Sequence, residues 1–372
     1  MIQRQRMIDQ LLELVKIDSP SGREGAVARR IEEILTELGM TVVYDDAGKK
    51  AGGETGNLIA TLKGTTGSGT PILFSAHMDT VQQPGESITP VVEDTHIRSD
   101  GTTILGGDDK AGIAAFIEAI RILQEQQIPH GDIQAVFTIW EEGGLKGSLY
   151  LDYSLVSAER AFVLDSGGPL GNVVNQGPAQ DKIEAVFHGK AAHAGVAPEN
   201  GISAIQMAAK AITEMNLLRI DEDTTANIGI IEGGKATNIV TPEVKVVGEA
   251  RSQTEEKLKS QSEHMKNAME EAAGAFGGSV DVAVERIYSP FILEETHPMI
   301  QTLKEVFGEI GLTVSVHKTG GGSDTNHFNA NGIPAVNLSV GDEKPHTLEE
   351  HVVIDEFVKS SEMILAIIKA HA

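Results

Sequence analysis

The amino-acid sequence predicts an α/β fold with a mixed sheet, interrupted by a smaller inserted α+β domain. Strand-like and helix-like segments alternate over the first half of the 372 residues, which is typical of helices packed on a sheet. Between 177 and 287 the pattern changes to strands around two helices, and the first pattern returns after Tyr288. The sequence therefore predicts one domain of residues 1–176 and 288–372 and an inserted domain of residues 177–287.

The individual elements follow from the spacing of the apolar residues. A spacing near 3.6 residues predicts a helix, and a short apolar run rich in β-branched residues predicts a strand. The predicted helices cover residues 5–17, 24–38, 110–127, 201–216, 254–274, 297–310 and 353–370. The predicted strands cover residues 41–44, 57–62, 71–76, 133–140, 161–165, 182–188, 226–231, 244–250, 279–286, 313–317 and 335–338.

Composition excludes several classes of function. Lys and Arg total 30 against 54 Asp and Glu, and the net charge of −24 disfavours binding to nucleic acid or to an anionic membrane. The absence of cysteine excludes thiolate catalysis and Cys-ligated zinc, so a metal site must use His and carboxylate ligands. The first 20 residues indicate a helix and not a signal peptide, and no apolar run approaches the roughly 18 residues of a membrane span. We therefore expect a cytoplasmic protein.

An acidic pair, Glu141-Glu142, follows the apolar run 135–140 and precedes Gly143-Gly144. The pair should lie where a strand leaves the sheet, which is where open α/β sheets bind ligands. Neighbouring residues of an extended segment point in opposite directions, so one carboxylate could bind a metal while the other transfers a proton. A solvated charged turn is the alternative for an isolated pair.

Further metal-ligand candidates occupy other strand ends and loops. His77 ends an apolar run, and Asp79 on the same side of the extended segment could orient its imidazole. Asp108 and Asp109 open a predicted helix, where one Asp would suffice as a cap. Asp165 ends the run 161–164.

One more candidate, His346, lies in a polar turn before the last helix. Residues from separate segments thus meet at one edge of the predicted sheet, which indicates a hydrolytic metal site. Two divalent cations would balance the carboxylates of Asp108, Glu142 and Asp165 together with one hydroxide. These ligands suit zinc, although manganese or cobalt could substitute.

The ordered motifs resemble those of the di-zinc exopeptidase and deacylase family that contains peptidase T, aminoacylase and glutamate carboxypeptidase. The resemblance spans nearly the whole chain, and the segment from Arg98 to Gly112 is most similar to the peptidase T branch. It implies a phosphorylase/hydrolase-like α/β/α catalytic domain and a ferredoxin-like inserted domain that acts as a lid and dimerisation domain. It also implies a cis peptide bond between Asp108 and Asp109.

The resemblance further implies a role for each motif residue. His77 and Asp165 would bind one zinc ion, Glu142 and His346 the other, and Asp108 would bridge the two. Asp79 would orient His77. Glu141 would be the general base that takes a proton from the attacking water and passes it to the leaving amine.

The inserted domain supplies four substrate-site candidates by the same resemblance. His193 would donate to the oxyanion of the reacting carbonyl, often in the active site of a partner subunit, although a packed turn histidine is the alternative. Asn238 and Arg251 would hold the substrate backbone or its terminal carboxylate. The alternative for each is a hydrogen bond that stabilises the fold or a charge on the surface. Gly321, in the loop 320–326, would offer a backbone N–H to an anion, or lie in a tight turn.

Taken together, the sequence predicts a cytoplasmic zinc aminopeptidase with two Zn²⁺ per chain. It would remove the N-terminal residue from short peptides, most readily tripeptides, and would form a homodimer through the inserted domain. An N-acyl amino acid deacylase (aminoacylase) or a carboxypeptidase of the same family remains an alternative, and so does a non-catalytic peptide-binding protein.

Overall fold

The computed structural model describes residues 2–67 and 69–372, which divide into two compact units. The first unit contains the chain up to Gln176, Ile292–Lys318 and Ser323–Ala372, and the second contains Gly177–Phe291 and Thr319–Gly322. The second unit thus extends beyond the predicted limit of 287. It also takes in Thr319–Gly322, since Gln253 Nε2 donates a hydrogen bond to the carbonyl oxygen of Thr319 (2.6 Å).

Most helices and strands lie near the positions that the apolar spacing predicts, and the described residues also contain two short 3₁₀ helices. The helices are α1 Arg4–Val15, α2 Gly25–Glu37, α3 Ala47–Ala51, α4 Gly107–Glu125, α5 Lys146–Tyr150, α6 Ala204–Glu214, α7 Glu255–Ala275, α8 Pro298–Glu309, α9 Asp324–Ala330 and α10 Ile354–Ala370. The strands are β1 Thr41–Tyr44, β2 Leu58–Leu62, β3 Ile72–His77, β4 Pro90–Val92, β5 His96–Ser99, β6 Ile133–Thr138, β7 Arg160–Ser166, β8 Asn172–Gly177, β9 Ala179–His188, β10 Leu218–Arg219, β11 Thr224–Gly233, β12 Glu243–Ser252, β13 Ser279–Tyr288, β14 Phe291–Ile292, β15 Ser315–Lys318, β16 Ala335–Ser339, β17 Asp342–Glu343 and β18 His351–Val353. The 3₁₀ helices are Tyr153–Leu155 and Pro198–Asn200.

A large mixed sheet forms the centre of the first unit. Its order is β1-β2-β6-β3-β7-β16-β8-β14, and β15 also pairs with β8. The central strands β6, β3, β7 and β16 run parallel. The pairs β1–β2, β2–β6 and β16–β8 are antiparallel, and β15 pairs parallel with β8. Because β3, β6 and β7 are parallel neighbours, their carboxyl ends lie at the same edge of the sheet.

Both faces of this sheet are buried under helices. On one face, Phe74 of β3 packs against Phe116 of α4, with ring centroids 5.6 Å apart. On the other face, Leu73 belongs to an apolar cluster that includes Phe328 of α9. Successive strand residues point to opposite faces, so each face carries its own apolar row. The predicted α/β/α class is confirmed.

The second unit is an antiparallel sheet with two helices. The strand order is β10-β11-β12-β9-β13, and in β9 buried and half-buried residues alternate strictly. Its buried face, represented by Phe187, packs with Met207 of α6 and with Met265 and Met269 of α7. The order of elements, β9-α6-β10-β11-β12-α7-β13, agrees with the inserted α+β fold that the sequence predicts.

Some local features of the fold differ from those predicted from the sequence. A small sheet of order β17-β18-β5-β4 was not predicted, because its short strands contain no apolar run longer than two residues. The predicted strand 133–140 ends earlier, at Thr138, because Trp140 adopts a left-handed backbone with φ +52° that a strand cannot hold. Among residues 2–67 and 69–372, no helix combines the length and apolar character needed to cross a membrane.

Candidate metal centre

The sheet delivers acidic and imidazole side chains to one edge. His77 is the last residue of β3 and Asp165 lies near the end of β7. The chain leaves β6 at Thr138 and reaches Glu141-Glu142 within the next turn. The parallel pairing of β3 with both β6 and β7 explains why these residues meet.

Asp108 lies between the two histidines. His77 Nε2 is 3.1 Å from Asp108 Oδ1, and His346 Nε2 is 3.3 Å from Asp108 Oδ2. The peptide bond between Asp108 and Asp109 is cis, as the family resemblance implies. The two oxygens of one carboxylate therefore face different imidazoles.

The ligand candidates form two groups that share Asp108. One group is His77, Asp108 and Asp165, and the other is Asp108, Glu142 and His346; within each group the potential ligand atoms lie within 4.8 Å of one another. His346 Nε2 is 2.7 Å from Glu142 Oε1, and His77 Nε2 is 3.9 Å from Asp165 Oδ1. We refer to these five residues as the metal cluster.

Glu141 lies close to both groups. It forms a third set of possible ligands with His77 and Glu142. Burial raises the pKa of the Glu141 carboxyl well above its usual value, and the charge of Asp165 raises it further. A carboxylate held this way accepts a proton more readily than an exposed one.

The carboxylates and imidazoles of the metal cluster are suited to bind cations. Burial raises the pKa of Asp165, and the charge of Asp108 adds to this. Burial alone would raise the pKa of Asp108 too, but hydrogen bonds from His346 and His77 lower it. Hydrogen bonds to Asp108 and Glu142 raise the pKa of His346 to about 10. Crowded carboxylates with imidazole nitrogens between them are the donor set that zinc and similar divalent cations take in proteins.

Asp79 acts differently from the sequence expectation. The His77 imidazole Nδ1 is 2.9 Å from the backbone carbonyl oxygen of Asp79, while the Asp79 carboxylate is 3.6 Å away. The carboxylate instead accepts hydrogen bonds from the backbone N–H groups of Glu141 (2.9 Å) and Glu142 (3.2 Å) and from the Ser21 hydroxyl (2.6 Å). Asp79 thus holds the acidic turn as well as the imidazole.

Two more side chains hold the backbone just before this turn. Asn57 Oδ1 accepts from the N–H of Ile139 (3.1 Å), and Glu24 Oε1 accepts from the N–H of Trp140 (3.0 Å). Glu24 is fully buried, and burial, then the charge of Asp79, raises its pKa to about 7. Neither residue could be predicted from the sequence, since a bond to a distant backbone amide leaves no periodic signal.

The remaining predicted site residues all lie in the second unit. His193 and Asn238 are both exposed. Their segments are adjacent, and the N–H of Ala194 donates a hydrogen bond to the carbonyl oxygen of Asn238 (3.0 Å). Arg251 is half-buried, and its guanidinium donates through Nε and Nη2 to the carboxylate of Glu249. The N–H of Gly321 donates to the Thr319 hydroxyl (3.2 Å).

Comparison with characterised proteins identifies the family. The model of peptidase family M20/M25/M40 matches residues 73–370, a span that contains every residue of the metal cluster. The chain belongs to this family. Membership confirms the resemblance seen in the sequence motifs and makes the chain a peptidase by family.

Two solved structures and one sequence relative are similar over nearly the whole chain. The aminopeptidase PepT of Bacillus cereus is 45% identical, with a TM-score of 0.90 and 99% of each chain covered. A tripeptidase of Staphylococcus aureus is 42% identical, with a TM-score of 0.94 and coverage of 99% of this chain and 98% of the other. Peptidase T of Geobacillus thermodenitrificans is 26% identical, with 98% of each chain covered. These similarities support the peptidase T branch and the metallo-aminopeptidase class.

Proposed function

We propose that this chain is a dinuclear metallo-aminopeptidase that removes the N-terminal residue from short peptides, with tripeptides as preferred substrates. The observation that carries the proposal is the carboxylate of Asp108, which belongs to both groups of possible ligands. Its Oδ1 lies 3.1 Å from His77 Nε2 and its Oδ2 lies 3.3 Å from His346 Nε2. A carboxylate placed in this way is suited to bridge two cations. Zinc fits the donor set best.

The metal cluster would hold the two cations as the motifs imply. His77 and Asp165 would bind one, Glu142 and His346 the other, and Asp108 both. The bound cations would polarise the scissile carbonyl and lower the pKa of a water molecule.

Glu141 supplies the proton chemistry in this proposal. Its carboxylate takes a proton from the attacking water and then delivers it to the leaving amine. Asp79 keeps the Glu141 carboxylate in place, because its own carboxylate accepts hydrogen bonds from the backbone N–H groups of Glu141 and Glu142. His193 would donate to the oxyanion of the substrate, while Asn238, Arg251 and Gly321 would bind the substrate backbone or its terminal carboxylate.

The preference for tripeptides has its support in the relatives. A chain that is 42% identical and covers almost the full length is described as a tripeptidase, and one that is 45% identical as an aminopeptidase. We propose the same direction of cleavage here, in a cytoplasmic setting.

The test compares two neighbouring substitutions. Glu141→Gln should lower kcat by roughly 10²–10⁴-fold, the usual contribution of a general base, while the metal content stays near that of the wild type. Glu142→Gln, the matched control, should lose activity together with one cation. Turnover of a tripeptide by Glu141→Gln at the wild-type rate would refute the assignment of the base.

A substrate panel separates the alternatives. A defined tripeptide, the same peptide blocked at its N-terminus and an N-acetylated amino acid are incubated with and without a chelator. Release of the N-terminal residue from the free tripeptide alone supports the proposal. Release of the C-terminal residue indicates a carboxypeptidase, and hydrolysis of the N-acetylated amino acid indicates a deacylase. Binding of peptide without hydrolysis would point to a non-catalytic protein.

The proposed homodimer has support in an open edge of the second unit. Strand β10 pairs only with Thr225 and Ala226 of β11, and further along β11 the side chains of Ile230 and Ile231 are about half exposed (48% and 53%). An exposed apolar strand edge is a ready surface for pairing with another chain.

Sedimentation velocity tests the dimer. Ile231→Lys should convert the dimer into monomers, because a charge on an edge strand blocks pairing. Val284→Lys, an exposed position (43%) on the opposite edge strand β13, is the control and should leave the dimer intact. A monomeric wild type, or a dimeric Ile231→Lys variant, would contradict a dimer through β11.

A further inference from the structure

Glu350 forms an unusual set of hydrogen bonds in the first unit. Its carboxylate Oε2 accepts the backbone N–H groups of Leu105 (2.8 Å) and Gly106 (2.9 Å), and Oε1 accepts those of Gly107 (2.7 Å) and Asp108 (3.1 Å). The side chain is almost fully buried, with 1% exposed. Four consecutive amides that end at the shared metal ligand thus converge on one carboxylate.

The two glycines before Asp108 permit this approach. Gly106 has φ +69°, a left-handed backbone that other residues adopt at a cost. A Cβ atom on Gly107 would lie 2.9 Å from Val352 Cγ2 and 3.4 Å from Glu350 Oε1. The Gly-Gly pair of the motif therefore has a structural reason: Gly106 permits the left-handed backbone, and Gly107 leaves room for Val352 beside the Glu350 carboxylate.

The same short segment also carries a member of the metal cluster. His346 directly precedes the turn 347–350, which the N–H of Glu350 closes by donating to the carbonyl oxygen of Thr347 (3.1 Å). His346 Nε2 contacts the side chain of Asp108, while the Glu350 carboxylate contacts its backbone. The segment from His346 to Glu350 consequently contacts Asp108 at both its side chain and its N–H.

The carboxylate of Glu350 is not itself available to a cation. A carboxylate has about four acceptor positions, and four backbone N–H groups occupy them. Its effect on a bound metal must therefore pass through Asp108.

We infer that Glu350 is a positioning residue that fixes the backbone of Asp108 relative to His346 and thereby sets the metal affinity of the centre. The inference rests on the proposed function in that it takes Asp108 as the shared ligand. Residues that hold a ligand in this way commonly change metal affinity 10–100-fold when they are replaced.

The test measures zinc affinity, by competition with a chromophoric chelator at a temperature below unfolding, and the visible spectrum of the cobalt-loaded protein. Glu350→Gln retains one acceptor oxygen and places an amide N–H₂ against backbone donors; we expect a 10–100-fold lower affinity for at least one zinc ion and an altered cobalt spectrum. Glu350→Asp retains the charge on a shorter side chain and should recover part of the affinity. Glu349→Gln is the matched control, since Glu349 is 73% exposed and pairs with Lys344; it should behave as the wild type.

The outcomes separate this inference from the proposed function. Wild-type zinc affinity and cobalt spectrum in Glu350→Gln would overturn the inference and leave the proposed function standing. A wild-type protein that binds zinc but hydrolyses no peptide would overturn the proposed function alone. If Glu350→Gln fails to fold, the Glu350→Asp variant decides, and an affinity equal to that of Glu349→Gln would refute the role of Glu350. A wild type that binds no divalent cation would refute both.

Discussion

Replacing Asp79 by Asn should loosen the turn that carries Glu141 and Glu142. The fully buried carboxylate accepts both of their N–H groups and the Ser21 hydroxyl. Asn keeps one acceptor oxygen, so one backbone N–H loses its partner, while the Ser21 hydroxyl can turn to accept a hydrogen bond from the new amide.

The magnitude follows from these bonds. Each hydrogen bond to a charged acceptor contributes about 2 kcal/mol, and a neutral bond contributes about 1 kcal/mol. For the two backbone N–H groups, Asp79→Asn replaces two bonds to a charged carboxylate by one bond to a neutral amide oxygen. The closed turn should therefore lose about 3 kcal/mol of stability. Since about 1.4 kcal/mol corresponds to a factor of ten, local opening should become roughly a hundredfold more frequent.

Hydrogen exchange of the peptide that spans Glu141 and Glu142, followed by mass spectrometry, measures this opening. In parallel, kcat for a tripeptide should fall by about 10²-fold, because a small displacement of a catalytic group has a cost of that order. Ser21→Ala is the control: it removes only the hydroxyl bond to Asp79 and should retain slow exchange in this peptide. Equal exchange rates in Asp79→Asn and Ser21→Ala would refute the reasoning.

Gly143→Ala and Glu24→Gln probe the same region, and Gly274→Ala in α7 serves as a comparison. In Gly143→Ala a Cβ would lie 2.0 Å from Cδ1 of Trp140, so the free energy of unfolding should fall by about 1–3 kcal/mol and the melting temperature should fall with it. Gly274→Ala, in α7 with open space around it, should instead raise the free energy of unfolding by about 1 kcal/mol. Equal melting temperatures of the two variants would contradict this. Burial raises the pKa of Glu24 from 4.5 to about 7, so its contribution to stability is full below pH 4.5 and is lost as the pH rises through about 7. Glu24→Gln should therefore melt above the wild type at pH 8 and nearer to it at pH 5, and a pH-independent difference would show that Glu24 does not titrate in this range.

The metal cluster was accessible to sequence reasoning because its members end predictable elements. His77 and Asp165 end apolar runs that become parallel strands, and the parallel pairing alone brings such ends together. Asp108 could be found at a helix start. His346 ends no apolar run; it was a candidate only as a histidine in a polar turn before the last helix, and the family resemblance supplied its role.

The supporting residues could not be found in the same way. Glu349 and Glu350 are neighbours of identical type, yet one is exposed and the other is buried beneath four backbone amides. Glu24, at the start of α2, binds an amide that is 116 residues away in the chain. Contacts of this kind depend on where loops meet in space, and neither period nor composition encodes that.

The division into units shows the same limit. Strand β13 and most of β9 were predicted from the sequence, but Thr319–Gly322 belongs to the second unit through contacts such as the one from Gln253. A glycine-rich tetrapeptide has no apolar pattern of its own, so its unit cannot be assigned before the packing is seen.

Trp140 gives the molecule an intrinsic optical reporter. It is the only tryptophan of the chain, it directly precedes Glu141, and the Lys146 ammonium lies 3.9 Å from the centre of its ring. The indole emission of the protein therefore comes from one position beside the acidic turn, and this emission responds to nearby charge and to solvent. Cation loading, peptide binding and displacement of this turn can therefore be followed in the unlabelled protein, in real time and on the same sample.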